Sequence, residues 1–146
     1  MSVTPVLDQL DLVCADVSRT LAFYRLLGLK IPRRAMWVTA SGPHHVRIAM
    51  GGMEMAWDSV ALAKAYNKGF RKLGRGGNVV IGFSVATRRA VDATYAKLVR
   101  AGHKGLQPPF DAFWGARYAI VADPDGNPVG LMSPVDAKKR SAGPSL

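Results

Sequence analysis

The residues of this 146-residue sequence with types suited to metal binding or nucleophilic attack are three histidines, one cysteine and a few serines. Their spacing favours neither chemistry. His44 and His45 are adjacent and follow Gly42-Pro43, before or within a run that reads as a strand. Neighbours on a strand point to opposite faces, so the two cannot chelate one ion together. His103 follows Gly102 at a predicted helix end, where an imidazole suits the helix dipole. No HExxH or CxxC motif is present. Cys14 sits mid-strand between apolar neighbours, the setting of a buried, unreactive thiol. Neither Ser41 nor Ser84 lies in a GxSxG context. The "GRGG" stretch from Gly74 to Gly77 lacks the preceding strand and following helix of a phosphate-binding loop and reads as linker.

Composition narrows the class further. With 49% apolar residues the chain can bury one core, and a single domain over 1–146 is expected. No stretch has the apolar length needed to span a bilayer, and no basic-then-apolar start marks a secretory signal. One cysteine leaves no internal disulfide, so a cytoplasmic location is the expectation. The formal charge of +10 is concentrated in "KAYNKGFRKLGR", Lys64 to Arg75, and in Lys138-Lys139-Arg140. These read as a solvated loop and a frayed tail. No helix-turn-helix, zinc-finger or aromatic RNA-binding signature accompanies the charge, so nucleic acid is a minor hypothesis.

The elements that must position any site occur twice in the same order. Leu7 to Val17 reads as a strand, then a helix capped by Ser18 runs to Gly28 with Leu21, Phe23, Tyr24 and Leu27 on its apolar face. Three extended runs follow: "AMWVTA", "HHVRIAM" and "MEMAWD", the last two joined by a turn at Gly51-Gly52. In the second half "NVVIGFSVA" is a strand and Thr87 caps a helix that Gly102 ends. Val91, Tyr95, Leu98 and Val99 recur on its face at helical spacing. "KGLQ", "ARYAIVA" and "NPVGLMS" are again three extended runs, and Asp125-Gly126 marks a tight turn before the last. This is a βαβββ unit repeated: module one at about 5–58, a linker at 59–77, module two at about 78–134 and a basic tail at 135–146. The fold class expected is α+β, with two tandem modules forming an open, cup-shaped mixed sheet and the helices on its outer face.

Paired βαβββ modules, "FYRLLGL" closing the first helix, "AKLVRAGHKG" closing the second and "ADPDGNPVGL" near the end resemble the vicinal oxygen chelate superfamily. That group includes glyoxalase I, extradiol dioxygenases, and fosfomycin- and bleomycin-resistance proteins. The resemblance runs from Pro5 to about Pro134. In metal-dependent members four ligands, usually His or Gln and Glu, come from the first and last strands of each module. The resemblance puts those positions on Gln9, Glu54, Val80 and Gly130. Val80 and Gly130 have no donor atom, and two oxygen donors alone make a weak site. No cofactor is therefore expected, and a divalent metal is disfavoured.

The remaining residues suggest what replaces the metal. Phe110, Phe113 and Trp114, beside the Pro-rich "QPPFDAF" loop, could form a stacking wall with Arg117 as a nearby cation. Trp57 alternates away from Glu54 and reads as core or dimer packing. On this view Val80 and Gly130 are clearances, and Gln9 and Glu54 orient an aromatic or apolar small-molecule ligand. The leading expectation is a metal-independent binding protein, and the resemblance implies a homodimer. The alternative is an enzyme of lyase, isomerase or dioxygenase type. It would use a rearranged metal site including His44 or His45, or a buried Glu54 with a raised pKa as general base. The overall charge disfavours a cationic drug such as bleomycin, while Glu54 would oppose an anion.

Overall fold

The computed structural model describes residues 7–71, 73, 74, 76 and 79–145. Pro5 and Val6 of the expected first module, Lys72, Arg75 and Gly77 of the expected linker, Asn78 at the expected start of the second module, and Leu146 at the end of the expected tail lie outside the described residues. The chain divides into two compact units, Met1–Gly74 and Arg75–Leu146.

In the first unit, strand β1 (Gln9–Cys14) leads to helix α1 (Val17–Leu27) and then to β2 (Trp37–Thr39), β3 (Gly42–Met50) and β4 (Met53–Ser59). The four strands form one mixed sheet in the order β1-β4-β3-β2, with β1 and β4 parallel and the other pairs antiparallel. Asp16, not Ser18, caps α1: its side chain accepts from the Arg19 backbone N–H, and Ser18 stands inside the helix. Both residues are suitable caps by type, and the earlier end of the strand decides between them. Gly28 ends the helix as expected, with positive φ that suits a residue lacking Cβ. Leu21, Phe23 and Tyr24 of α1 are buried, and the Tyr24 ring lies 5.2 Å from that of Trp57.

The expected linker is partly helical. Ser59 caps a short helix, α2 (Val60–Tyr66), by accepting from the Leu62 N–H, and Ala63 is buried beneath it. Its basic residues masked the helix, because charge says nothing about backbone geometry.

The second unit repeats the plan with β5 (Ile81–Ser84), α3 (Arg88–Arg100), β6 (Gly105–Asp111), β7 (Arg117–Ala122) and β8 (Pro128–Met132). Its sheet order is β5-β8-β7-β6, with β5 and β8 parallel, the same topology as the first. Each unit is α+β, with a four-stranded mixed sheet, as the repeated sequence grammar implied. Thr87 caps α3 through the Ala90 N–H, and Val91 and Leu98 are buried while Val99 is exposed.

Two readings need correction here. Pro108 and Pro109 lie in β6, an edge strand with one of its register shifts across the prolines, between Gln107 and Phe110, rather than in a loop. An edge tolerates missing N–H donors because one side of it needs none. The tail is not frayed throughout: Asp136 N–H donates to Gly115 O and Ser141 N–H to Phe113 O, both at 3.0 Å. The Arg140 guanidinium donates to Trp114 O.

The Asp125-Gly126 turn is held by Asp123, which is buried. Its Oδ1 accepts from the backbone N–H groups of Asp125 and Asn127, and its Oδ2 from Asn127 Nδ2, all at 2.9 Å. Asp123→Ala strands these donors and is expected to cost about 1–3 kcal/mol. Urea titration should show a lower midpoint with an unchanged slope.

Candidate functional site

Period-two alternation along β4 decides what the first unit presents. Met55 and Trp57 turn towards α1 and are buried, so Glu54, Ala56 and Asp58 occupy the opposite face. Strand register brings their neighbours onto that face. Gln9 stands opposite Glu54, Asp11 opposite Ala56 and Val13 opposite Asp58 on β1. On β3, His45 stands opposite Asp58, Arg47 opposite Ala56 and Ala49 opposite Glu54. A polar surface results, made by Gln9, Asp11, His45, Arg47, Glu54 and Asp58.

These groups are engaged with one another. Gln9 Nε2 donates to Asp11 Oδ2 at 3.1 Å, and Arg47 Nη1 donates to Glu54 Oε2 at 3.2 Å. Asp8, Gln9, Arg47, Ala49, Gly52, Met53 and Glu54 border a shallow, open depression. The Glu54 side chain is 41% exposed and paired with Arg47. Asp58 is the opposite case, with only 2% of its surface exposed. Its Oδ1 lies 2.6 Å from His45 Nδ1 and its Oδ2 accepts from the Tyr66 hydroxyl at 2.9 Å. Partial burial and this bond to the Asp58 carboxylate push the Tyr66 phenol up to about 12. Desolvation first, and then the neighbouring Asp58 carboxylate, raise the Asp11 carboxyl above its ordinary value, against a pull from His45.

His44 points the other way, as strand alternation requires. Its Nδ1 lies 2.8 Å from Ser59 Oγ, and its Nε2 lies 2.8 Å from Thr39 Oγ1 and 2.9 Å from Ser41 Oγ. Trp37 packs its ring against His44 at 5.6 Å. Cys14 is buried and Trp57 is a core residue.

In the second unit, Ile81, Val121, Val129, Leu131 and Ala119 are buried on the α3 side of the sheet. The other face carries Gly82, Gly130, Ile120, Tyr118, Met132 and Phe110 by register. Phe110, Phe113 and Trp114 do come together, and Tyr118 completes the cluster. Trp114 meets Phe113 at 5.2 Å, Tyr118 at 5.4 Å and Phe110 at 6.3 Å, all edge to face. Arg117 is not beside them. It turns to the α3 side, where it bonds Asp92 at 2.8 Å and Asp111 at 3.2 Å. Arg88 also pairs with Asp111, and these guanidinium partners hold the Asp111 carboxyl below the usual range.

Gly130 needs a different explanation from an open clearance. A Cβ there would stand 2.6 Å from the Tyr118 hydroxyl oxygen and 3.1 Å from its ring. The phenol of the neighbouring strand fills the space the glycine leaves. Gly130 also pairs with Gly82 rather than with Val80, which stands half exposed just before β5. Gly82 has nothing within 4 Å of its own Cβ position. Among the described residues, no group of three or more His, Cys, Asp or Glu side chains is arranged to hold a metal ion.

Sequence reasoning missed Asp58, Asp11, Arg47, Tyr66 and Tyr118. The His45–Asp58 pairing was available from the Gly51-Gly52 turn, by counting back along the two strands it joins. Tyr66 was hidden in the supposed linker.

Known proteins share this architecture. A family model described as Glyoxalase/Bleomycin resistance protein/Dioxygenase superfamily matches residues 6–131. No curated protein matches the sequence. A glyoxalase-related enzyme from Fulvimarina pelagi superposes with a TM-score of 0.70 at 21% identity, covering 90% of this chain and 89% of that one. A glyoxalase/bleomycin resistance protein/dioxygenase family enzyme from Burkholderia phytofirmans PsJN gives 0.69 at 16% identity, covering 86% and 96%. A lactoylglutathione lyase from Agrobacterium tumefaciens gives 0.60 at 17% identity, covering 90% and 96%. At these identities the likeness is one of fold.

Two substitutions test the geometry. Gly130→Ala is expected to destabilise by about 1–3 kcal/mol through overpacking, and Tyr118→Ala in the same chain should remove part of that penalty. Gly82→Ala meets open space and should be neutral or stabilise slightly. Asp11→Asn should raise stability at neutral pH, because the ionised carboxylate is opposed by Asp58. Its advantage should fade as pH falls through the raised pKa of Asp11, where the wild-type group also becomes neutral.

Proposed function

The chain belongs to the glyoxalase/bleomycin resistance protein/dioxygenase superfamily, and within it we propose a metal-independent small-molecule binding protein. One observation carries this reading. Of the four positions at which the resemblance puts metal ligands, Val80 and Gly130 have no donor side chain, while Gln9 and Glu54 are bonded to Asp11 and Arg47. Such a set does not fit a divalent ion, which needs at least a third protein donor to be held firmly.

What remains suits an organic ligand. The first unit offers hydrogen-bonding groups on an exposed sheet face, with Gln9 and Glu54 able to exchange their present partners for a ligand. The second offers the aromatic edges of Phe110, Phe113 and Trp114 and, on another strand of its sheet, the open position at Gly82. A polar group of a ligand suits the first surface, and an aromatic or apolar compound suits the second, each taken by itself. A homodimer is the assembly that the resemblance supports, and the single cysteine is in keeping with a cytoplasmic protein.

Elemental analysis of freshly purified protein should find no stoichiometric divalent metal. In thermal-shift screens of planar aromatics, ligands should raise the melting temperature without added metal. Gln9→Ala and Glu54→Ala should each weaken a hit by about 1 kcal/mol. Stoichiometric metal together with chelator-sensitive turnover would refute the proposal.

A further inference from the structure

Helix α1 carries a stripe at i, i+3, i+4 and i+7 made by Ser18, Leu21, Ala22 and Arg25. With Arg33 and Met36, from the short 3-10 helix Arg33–Ala35 and the residue after it, they line a depression of about 400 Å³. Leu21 is buried beneath it, and Ala22 adds only a methyl group between Ser18 and Arg25. The depression shares no residue with the polar sheet face of Gln9, Glu54 and Asp58.

Two guanidiniums border this space without a counter-ion. Among the described residues neither Arg25 nor Arg33 pairs with a carboxylate. The sequence around them supplies none: no Asp or Glu occurs from Val17 to Met53, a stretch that holds Arg19, Arg25, Lys30, Arg33, Arg34 and Arg47. Desolvation, and then the charge of Arg33, lower the Arg25 pKa from its ordinary value. Arginine stays protonated in proteins even so, and the two positive charges persist at any working pH. Arg25 is also held in place. Its Nε donates to Ile31 O at 3.2 Å, and its Nη2 approaches Met36 Sδ at 4.0 Å. An anion in contact with both guanidiniums offsets the repulsion between them.

We propose that this depression binds a small organic oxyanion, a carboxylate or a phosphate ester on a compact apolar body, with Arg25 and Arg33 holding the head group and Leu21, Ala22 and Met36 receiving the body. Guanidinium forks match both kinds of oxyanion. The apolar part of the lining favours an organic anion over a bare ion. The net charge of +10 favours the approach of any anion, and the lining selects among those that arrive. The site stands apart from the sheet faces, and its fate does not depend on theirs.

NMR titration of the whole chain at neutral pH with benzoate, phenyl phosphate, benzamide and inorganic phosphate tests the inference. Benzoate or phenyl phosphate should shift the resonances of Ser18, Ala22 and Met36, and the tighter of the two identifies the head group. Benzamide keeps the ring without the charge and should bind about tenfold more weakly, the effect of one charge-assisted hydrogen bond. Inorganic phosphate keeps the charge without the ring and should also bind more weakly. Arg25→Gln should weaken the better anion about tenfold. Arg33→Gln, at an exposed position, should weaken it about threefold, as an exposed ion pair does. Ala22→Leu should weaken it by filling the depression with no change of charge. Arg89→Gln, which removes the same charge from α3, should leave the affinity unchanged. If Arg25→Gln does not fold, Arg33→Gln and Ala22→Leu decide. No binding of either organic anion, equal affinity for benzamide or for inorganic phosphate, or shifts that avoid Ser18, Ala22 and Met36 overturns the inference. So does an effect of Arg89→Gln as large as that of Arg33→Gln, which would mark attraction to the net charge alone.

Discussion

The contact between Trp57 and Tyr24 governs the first unit. Trp57 is fully buried with its ring 5.2 Å from that of Tyr24, and a side chain of that size contributes more to the core than any polar contact on the opposite face. Because side chains alternate along a strand, burying Trp57 fixes Glu54, Ala56 and Asp58 on the far side. A one-residue slip of β4 would exchange the two sets and place two carboxylates in the core. The arrangement of Gln9, Asp11, His45 and Arg47 follows from that one choice, through strand register.

The polar contacts on that face differ in weight. Arg47–Glu54 and Gln9–Asp11 are exposed, and pairs of this kind contribute little to stability, between about 0 and 1 kcal/mol. They can be exchanged for other partners at small cost. Asp58 cannot exchange so easily: it is buried, and removing either partner would leave a desolvated carboxylate short of a donor. One part of the surface is therefore adaptable and another is fixed.

Much of the fold was legible from residue order. The repeat of strand, helix and three strands follows from helical spacing in α1 and α3 and from the turns at Gly51-Gly52 and Asp125-Gly126. The topology of the two sheets agrees with it. What escaped were features set by partners distant in sequence. Ser18 and Asp16 are equally plausible caps until the end of β1 is known. Arg117 reads as a cation near Trp114, yet strand parity turns it towards Asp92 on α3. Gly130 reads as empty space because nothing local reveals that Tyr118, on the adjacent strand, lies across it. A glycine reports that something needs room, but only the tertiary neighbour says what.

Gly130 also separates two questions that the sequence joins. That Gly130 offers no donor side chain holds whatever fills the space, because it concerns chemistry rather than volume. The idea of a ligand resting on the glycine concerns volume, and the Tyr118 ring answers it. A ligand approaching that face meets the tyrosine and its partners Phe110 and Trp114 before it meets the backbone, while Gly82 leaves the neighbouring strand uncovered. A glycine within a strand thus need not create a pocket. Here it admits an aromatic ring from the protein itself, and the ring makes the surface that a planar molecule would touch.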